Sequence, residues 1–453
     1  MAETAYDTAV ARMYALGHEL AHTPTRKFDL AHMRVLLSAL NNPEKRSPSA
    51  LIAGTNGKGS TAATLASILT AAGIRTGLYT SPHLVRINER IRINCCTISE
   101  DDFALLHDLI DRTAERLVEE GELPWHPSFF EMLTAIAFEY FAQNKVEIAV
   151  LEVGMGGRLD ATNVIEPKVS VITDISLDHQ KFLGNTIAEI AREKAGIIRR
   201  SGVVVTLPQL PEANDVIGNT ILELDARGVS AVPYVPPVSP ASEDHFGSNN
   251  GNDGQPCSRY PLQVMDKEIL VETPLVGRHQ LRNVALAIAA AEELAKQGFH
   301  ITPEAIECGI RQTHWPGRFQ VVQSDGAVSE YVFDVAHNPA GAWALRSTLS
   351  AFYGDRPLTL IFGAMRDKAI GEMAEILFPL AERVIATHAD NPRSATTQEI
   401  RQAASRVSVD IQSTENVSEA LVGAARLSPD SIVVITGSIY VVGEAMSRLG
   451  VKV

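Results

Sequence analysis

Short apolar runs alternate along the chain with stretches in which apolar residues recur every three or four positions. The first pattern predicts buried strands, the second helices with one covered face. The run SALIAG (49–54) leads into a glycine-rich loop, and a helix is expected from about Ser60 to Ala72, with Leu65, Ile68 and Leu69 at helical spacing. RTGLYTS (75–81), VEIAVLEVG (146–154), KVSVITDIS (168–176) and GVVVTLPQ (202–209) read as further strands. QLRNVALAIAAAEELAKQG (280–298) reads as a long helix stopped by Gly298. A second alternating set begins near residue 318, with strands EYVFDVAH, PLTLIFGAM, ERVIATHA and DSIVVITGS.

Strands alternating with helices predict α/β architecture with parallel sheets and crossover helices. Two domains are expected, residues 1–313 and 314–453, joined at THWPGR (313–318), whose Pro-Gly pair suits a linker. The stretch from about 235 to 256, rich in Pro, Ser, Asn and Gly, is expected to be a mobile surface loop inside the first domain. No internal repeat of fixed short period is seen.

A chain of 453 residues exceeds one compact core, which agrees with two domains. Its 40 Lys and Arg against 54 Asp and Glu give a net charge of −14, which argues against nucleic acid or an anionic membrane as partner. A small anionic substrate remains open if positive charge gathers in one cleft. Cys95, Cys96, Cys257 and Cys308 lack metal-ligand spacing and read as free thiols of a reducing compartment. The N-terminus lacks a basic start followed by an apolar run, and no stretch of about 18 apolar residues occurs. The expectation is a cytoplasmic protein, monomeric, acting on small molecules.

The loop GTNGKGS (54–60) departs from the usual phosphate-binding spelling G-x-x-x-x-G-K-[ST]. Gly59 follows Lys58, and the hydroxyl of Ser60 comes one place late. Glycines after a buried strand let backbone N–H groups converge on an anion, and the next helix adds its positive end. Lys58 can reach β- and γ-phosphates, and Ser60 can ligate Mg²⁺ or cap the helix. Strand, glycine loop and helix in succession favour a nucleotide site over a simple turn.

GTNGKGS, together with YTSPHLVRINERIRI (79–93), LEVGMGGRLDATN (151–163), SLDH (176–179), REKAGI (192–197) and FDVAHNP (333–339), resembles the folylpolyglutamate synthase / dihydrofolate synthase family. That family belongs to the Mur ligase superfamily of ATP-dependent amide-bond formers. The resemblance runs from about residue 28 to the C-terminus, with no match near 235–256. It implies an N-terminal P-loop ATPase domain like the Mur ligase central domain and a smaller Rossmann-like C-terminal α/β domain. It implies ATP and two Mg²⁺ ions, with Thr55, Asn56, Gly57, Lys58, Gly59 and Ser60 around the phosphates.

Glu152, at the end of an apolar strand beside the loop, is well placed to hold Mg²⁺ or its water. His179, just past another strand, is an even choice between metal ligand and bystander on its own chemistry; the resemblance implies a ligand of the second Mg²⁺. Lys194 alone reads as a surface lysine; its family counterpart is carbamylated and bridges to that metal. Ser81 is either a turn former before Pro82 or, as the resemblance implies, a metal ligand. RLDATN (158–163) is a loop or a lining of the site.

Asn283 can bond an adenine edge, while Arg318 and Asp334 match family positions that contact phosphate and ribose. Without the resemblance Arg318 is a linker residue and Asp334 a cap for the helix at Pro339. His337, Ser438 and Tyr440 lie at starts of second-domain helices, suited to the incoming glutamate; capping and core packing are their plainer roles. Lys58, Lys194 and His337 are the expected catalytic residues. Phe129 or Phe130 either stacks on a flat pterin ring or packs in the core. Arg86, Arg90 and Arg92 either supply charge to a folate carboxylate or form a solvated face.

The implied chemistry is attack of a substrate carboxylate on the γ-phosphate of ATP, giving an acyl phosphate, followed by attack of the glutamate amine and loss of phosphate. The acceptor is dihydropteroate, a reduced folate, or both. Two rivals stand. A Mur-type ligase for another carboxylate would carry an extra N-terminal domain, for which a loop starting at Gly54 leaves too little chain. A P-loop NTPase without ligase activity would show the ordinary spelling and would not need a second α/β domain.

Overall fold

The computed structural model describes residues 4–17, 30–237, 256–324, 328–354, 356–426 and 431–453. The segment expected to be mobile, about 235–256, lies almost wholly outside them. The first sheet holds β1 (Ser49–Ala53), β2 (Thr76–Tyr79), β3 (Ile91–Ile93), β4 (Cys96–Thr97), β5 (Ile148–Glu152), β6 (Val169–Ile172), β7 (Val203–Thr206) and β8 (Arg227–Ser230). Its order is β4-β3-β2-β5-β1-β6-β7-β8. All neighbours are parallel except β2–β3 and β3–β4. The purely parallel sheet expected from the sequence is therefore mixed at one edge. A turn through Asn94 and Cys95, both at positive φ, sends the chain straight back there.

Helices α1 (Ala5–Ala15), α2 (Leu30–Ala39), α3 (Lys58–Ala71), α4 (Glu100–Glu119), α5 (Phe129–Gln143), α6 (Gln180–Leu183), α7 (Ile187–Ala195) and α8 (Pro211–Glu223) belong to this half, as do α9 (Arg278–Lys296) and α10 (Pro303–Arg311). A hairpin of β9 (Ser258–Val264) and β10 (Lys267–Thr273) packs near α9 and α10. Residues Gly59–Leu69 of α3 are all buried, which agrees with their mostly small side chains. Its observed start is two residues earlier than expected. Gly57, at φ +87°, caps the helix and so brings Lys58 and Gly59 into the first turn.

The second sheet contains β11 (Gln320–Gln323), β12 (Glu330–Phe333), β13 (Leu358–Phe362), β14 (Arg383–Ala386), β15 (Ile411–Ser413) and β16 (Ile432–Thr436), in the order β11-β12-β16-β13-β14-β15. Only β11 runs antiparallel to its neighbour. Helices α11 (Pro339–Tyr353), α12 (Ile370–Leu377), α13 (Thr397–Ala403), α14 (Val417–Ala425) and α15 (Ile439–Arg448) complete it. The edge strands β11 and β15 escaped the hydrophobic pattern because they are short and half-covered. Leu84, from the loop after β2, packs against the core of this second unit and so ties the halves together.

Candidate active site

Sheet order decides what meets at the site. β1 lies between β5 and β6, with Ile52 opposite Glu152 and Ala53 opposite Ile172. The glycine loop, the end of β5 and the 173–179 segment therefore emerge side by side at the carboxyl edge, where ligands of open α/β sheets bind. β2 borders β5, with Tyr79 opposite Leu151, which sets Ser81 beside Glu152. In the second sheet the ends of β12, β16, β13 and β14 are likewise adjacent and face the first. Between them lies a cavity of about 1020 Å³.

The glycine loop is held by its neighbours. Backbone N–H groups of Thr55 and Asn56 donate to the Asp174 carbonyl. The Thr55 hydroxyl donates to the Ser176 carbonyl at 3.0 Å, and the Asn56 amide donates to the Ser176 hydroxyl at 3.0 Å. Gly57 abuts Asn283 so closely that a β-carbon would overlap its side chain. Asn283 is itself fixed by donating to Gln280 at 2.9 Å. Lys58 is half-buried and donates to the Thr55 carbonyl at 3.2 Å.

Glu152 is 3% exposed and accepts the Ser81 N–H at 3.1 Å. Burial pushes its carboxyl above the ordinary value, opposed first by the charge of Lys58. Lys194 is 4% exposed and donates to the Gly54 carbonyl at 2.7 Å. Burial, and then the neighbouring charge of Lys58, lower its pKa to about 7. Asp160, from the RLDATN segment, braces the loop after β5 by accepting the Met155 N–H at 3.0 Å.

Asp178 joins the two halves. It accepts from Lys368 at 2.6 Å and from the Asn338 amide at 3.3 Å, and lies 3.6 Å from His337 Nε2. Its burial works against ionisation, yet His337, His179 and Lys368 hold its carboxyl well below the usual range. Asn338 also donates to the Asn56 side chain at 2.9 Å, so the second unit touches the glycine loop directly. His179 sits at φ +49°, and burial lowers its imidazole pKa to about 4.

The cavity gathers most of the expected residues: the glycine loop, Ser81, Phe129, Phe130, Glu152, His179, Lys194, Asn283, Arg318, Asp334, His337, Ser438 and Tyr440. Asp334 does not cap the helix at Pro339. Its carboxylate accepts the N–H groups of Phe319 and Ala336, and Asn338 is the cap. Ser438 caps α15 through the Tyr440 N–H. Phe129 is 3% exposed and stacked against Tyr14, whereas Phe130 is half-buried and rests on Gly154. Of the two rings, Phe130 is the more available.

The three arginines are not brought into the cavity. Arg90 and Arg92 are no solvated face either: both are buried, Arg90 bonded to His83 at 2.8 Å and Arg92 lying over Trp315. Arg86 pairs with Glu100. The sequence reading missed Lys368, Arg393, Arg282 and His279, all of which line the cavity. The signal was present, since Lys368 and Arg393 follow two predicted strands and His279 precedes the long helix. Charged residues after strands are common, and only sheet order shows which ones converge.

The donor set suits a hard cation. Ser60, Ser81 and the buried Glu152 carboxylate offer oxygen, and a cation would offset the cost of ionising Glu152. Among the described residues no group of three or more His, Cys, Asp and Glu gathers.

Comparison with known proteins agrees with this geometry. The Mur ligase middle domain family matches residues 130–291, and the Mur ligase, glutamate ligase domain family matches 317–439. The dihydrofolate synthase/folylpolyglutamate synthase of Bacillus subtilis (strain 168) is 35% identical over 429 residues, 93% of this chain and 94% of that protein. The folylpolyglutamate synthase of Lacticaseibacillus casei is 36% identical over 422 residues, 92% and 94%. A solved FPGS-AMPPCP-folate complex superposes with a TM-score of 0.81 at 33% identity, covering 98% of this chain and 99% of that one. The chain belongs to the folylpolyglutamate synthase / dihydrofolate synthase family of the Mur ligase superfamily.

Proposed function

We propose that the chain is an ATP-dependent ligase joining L-glutamate to dihydropteroate, to reduced folates, or to both. The observation that carries this is one cavity in which the glycine loop, Glu152 and Lys194 face His337, Ser438 and Tyr440 of the other half. A similar protein solved with AMPPCP and folate supports both the nucleotide and the acceptor class. The relatives include both a doubly named and a singly named enzyme, so the choice of acceptor is left to experiment.

In this reading the domains are residues 1–313 and 314–453, supported by the two sheets and by where the two families match. ATP lies with its phosphates on Thr55–Ser60, its base toward Asn283, and Arg318 and Asp334 at phosphate and ribose. The acceptor carboxylate, held near Phe130, attacks the γ-phosphorus. The bond to the β-phosphate oxygen breaks and ADP leaves. Lys58 and the loop N–H groups hold the phosphoryl oxygens in line. The glutamate amine then attacks the acyl carbon, loses a proton, and phosphate departs from the tetrahedral intermediate.

His337, Ser438 and Tyr440 orient the glutamate, and the second domain keeps water from the acyl phosphate. Ser60, Ser81 and Glu152 would hold one Mg²⁺, and His179 with carbamylated Lys194 a second; bound there, Mg²⁺ supplies positive charge to the phosphate oxygens. A lysine with a pKa near 7 has the neutral amine that carbamylation needs. One chain supplies both walls, which supports a monomer. The free cysteines suit a reducing cytoplasm, and no helix among the described residues is long and apolar enough to cross a membrane.

The test is ADP release with ATP, Mg²⁺ and L-glutamate, with dihydropteroate, with tetrahydrofolate, and with neither. Release with both acceptors means a bifunctional enzyme, and with one a specialised enzyme. Equal release in all three sinks the folate reading.

A further inference from the structure

The spelling G-K-G-S has a structural cause in the linker. In the usual loop the residue after the lysine carries a side chain. Here a β-carbon on Gly59 would lie 2.6 Å from Trp315 Cζ2 and 3.1 Å from its Cε2, against about 3.5–4.0 Å for a good carbon–carbon contact. The indole occupies the space that the ordinary motif gives to threonine or serine. Trp315 stands between α10 and β11, in the THWPGR segment where the chain passes from one sheet to the other.

The Arg92 guanidinium lies 5.5 Å from the ring centroid, and its Nε donates to the Glu89 carbonyl at 3.0 Å. The indole Nε1 is buried and has no hydrogen-bond partner among the described residues. An unpaired buried N–H is a cost that an apolar side chain of similar size would avoid. No hydrogen bond from the indole among the described residues therefore sets the ring, whose neighbours include the first turn of α3 and Arg92.

We propose that Trp315 is a positioning residue for the nucleotide. It fills the side-chain space of position 59 and fixes the first turn of α3. In this way it sets Lys58 and Ser60 relative to the start of the second domain. The glycine of the loop and the tryptophan of the linker are a matched pair: neither the ordinary spelling nor a free first turn is compatible with the ring. The inference rests on the nucleotide reading of the loop.

The test is a double-mutant cycle on ADP affinity by calorimetry, with ATP kinetics and melting temperature alongside. Alanine is a better helix former than glycine, so Gly59→Ala should not weaken α3 by itself. Gly59→Ala is expected to weaken ADP binding about tenfold or more, and Trp315→Leu to raise KM for ATP about fivefold with kcat nearly unchanged. The double variant should bind ADP more tightly than Gly59→Ala, because the ring that excludes the methyl is gone. Losses that multiply in the double variant overturn the pairing. Should Gly59→Ala fail to fold, Trp315→Leu decides: wild-type KM for ATP at wild-type melting temperature overturns it. Wild-type protein that binds no ADP overturns the nucleotide reading instead.

Discussion

The two walls of the cavity are built differently. The first-domain wall carries ionisable groups that folding has already buried: Glu152, Lys194 and Asp160. Burial shifts each of them against its charge, and backbone groups of the surrounding loops hold them in place. The second-domain wall offers a half-buried His337, a helix cap in Ser438, and Lys368, whose ammonium pairs with Asp178 of the first domain. One wall is assembled within its own domain. The other is completed across the gap. The first suits phosphoryl transfer, which needs fixed charge, and the second suits a substrate that arrives later and must be enclosed.

The largest effect should come from the fixed wall. Lys58→Ala is expected to lower kcat/KM by about 10³ or more, because in the proposed function the lysine serves the transferring phosphoryl group. Melting temperature should change little, since Lys58 is half-buried and its charge works against Lys194 but in favour of ionised Glu152. ADP-release kinetics and calorimetry on one preparation check both halves of this statement. Activity within tenfold of wild type would erase the distinction between the walls.

A smaller effect, with the opposite signature, is expected at the junction. Lys368 and Asp178 are both 8% exposed and 2.6 Å apart. A charged hydrogen bond of this kind contributes about 1.5–3 kcal/mol, and here it acts between domains. Lys368→Met should therefore lower kcat/KM for glutamate about 10- to 100-fold, mostly through KM, with little change in melting temperature. Scattering should also show a larger radius of gyration. A large fall in melting temperature with KM intact would make the pair a structural one and the second wall as prefabricated as the first.

The difference between the walls also explains what the sequence could reveal. The first wall is written in contiguous motifs, because a strand, a glycine turn and a helix start place their groups by local geometry. GTNGKGS and LEVGMGG could be read this way, and the residues chosen there do meet. The second wall depends on strand order, which no local pattern states. Lys368 follows β13 and His337 follows β12, and they reach the same sheet edge because both strands flank β16 and run parallel to it. Arg90 and Arg92, charged letters that fit either a folate contact or a solvated face, are buried, Arg92 on β3 opposite Leu78 and Arg90 just before that strand. Lys194 looked like a surface lysine, and only packing reveals its buried amine.

The smallest expected effect concerns His279, in the first turn of α9 and in the cavity lining. Burial lowers its imidazole pKa from 6.5 to about 4, the Arg318 charge adds to this, and Asp174 opposes it. The helix N-terminus disfavours a cation as well. Between these two values the unfolded chain binds a proton that the folded chain does not, so stability is lost as pH falls from 6.5 toward 4. At pH 5 the loss from this one group is at most about 2 kcal/mol. His279→Gln keeps a polar side chain and removes the titration. Its melting temperature should fall less than that of wild type between pH 7 and about pH 5, by a few degrees, and the two should run parallel above pH 7. Parallel curves throughout would mean that the imidazole is hydrated in the open site, and that this part of the first wall forms only when the domains close.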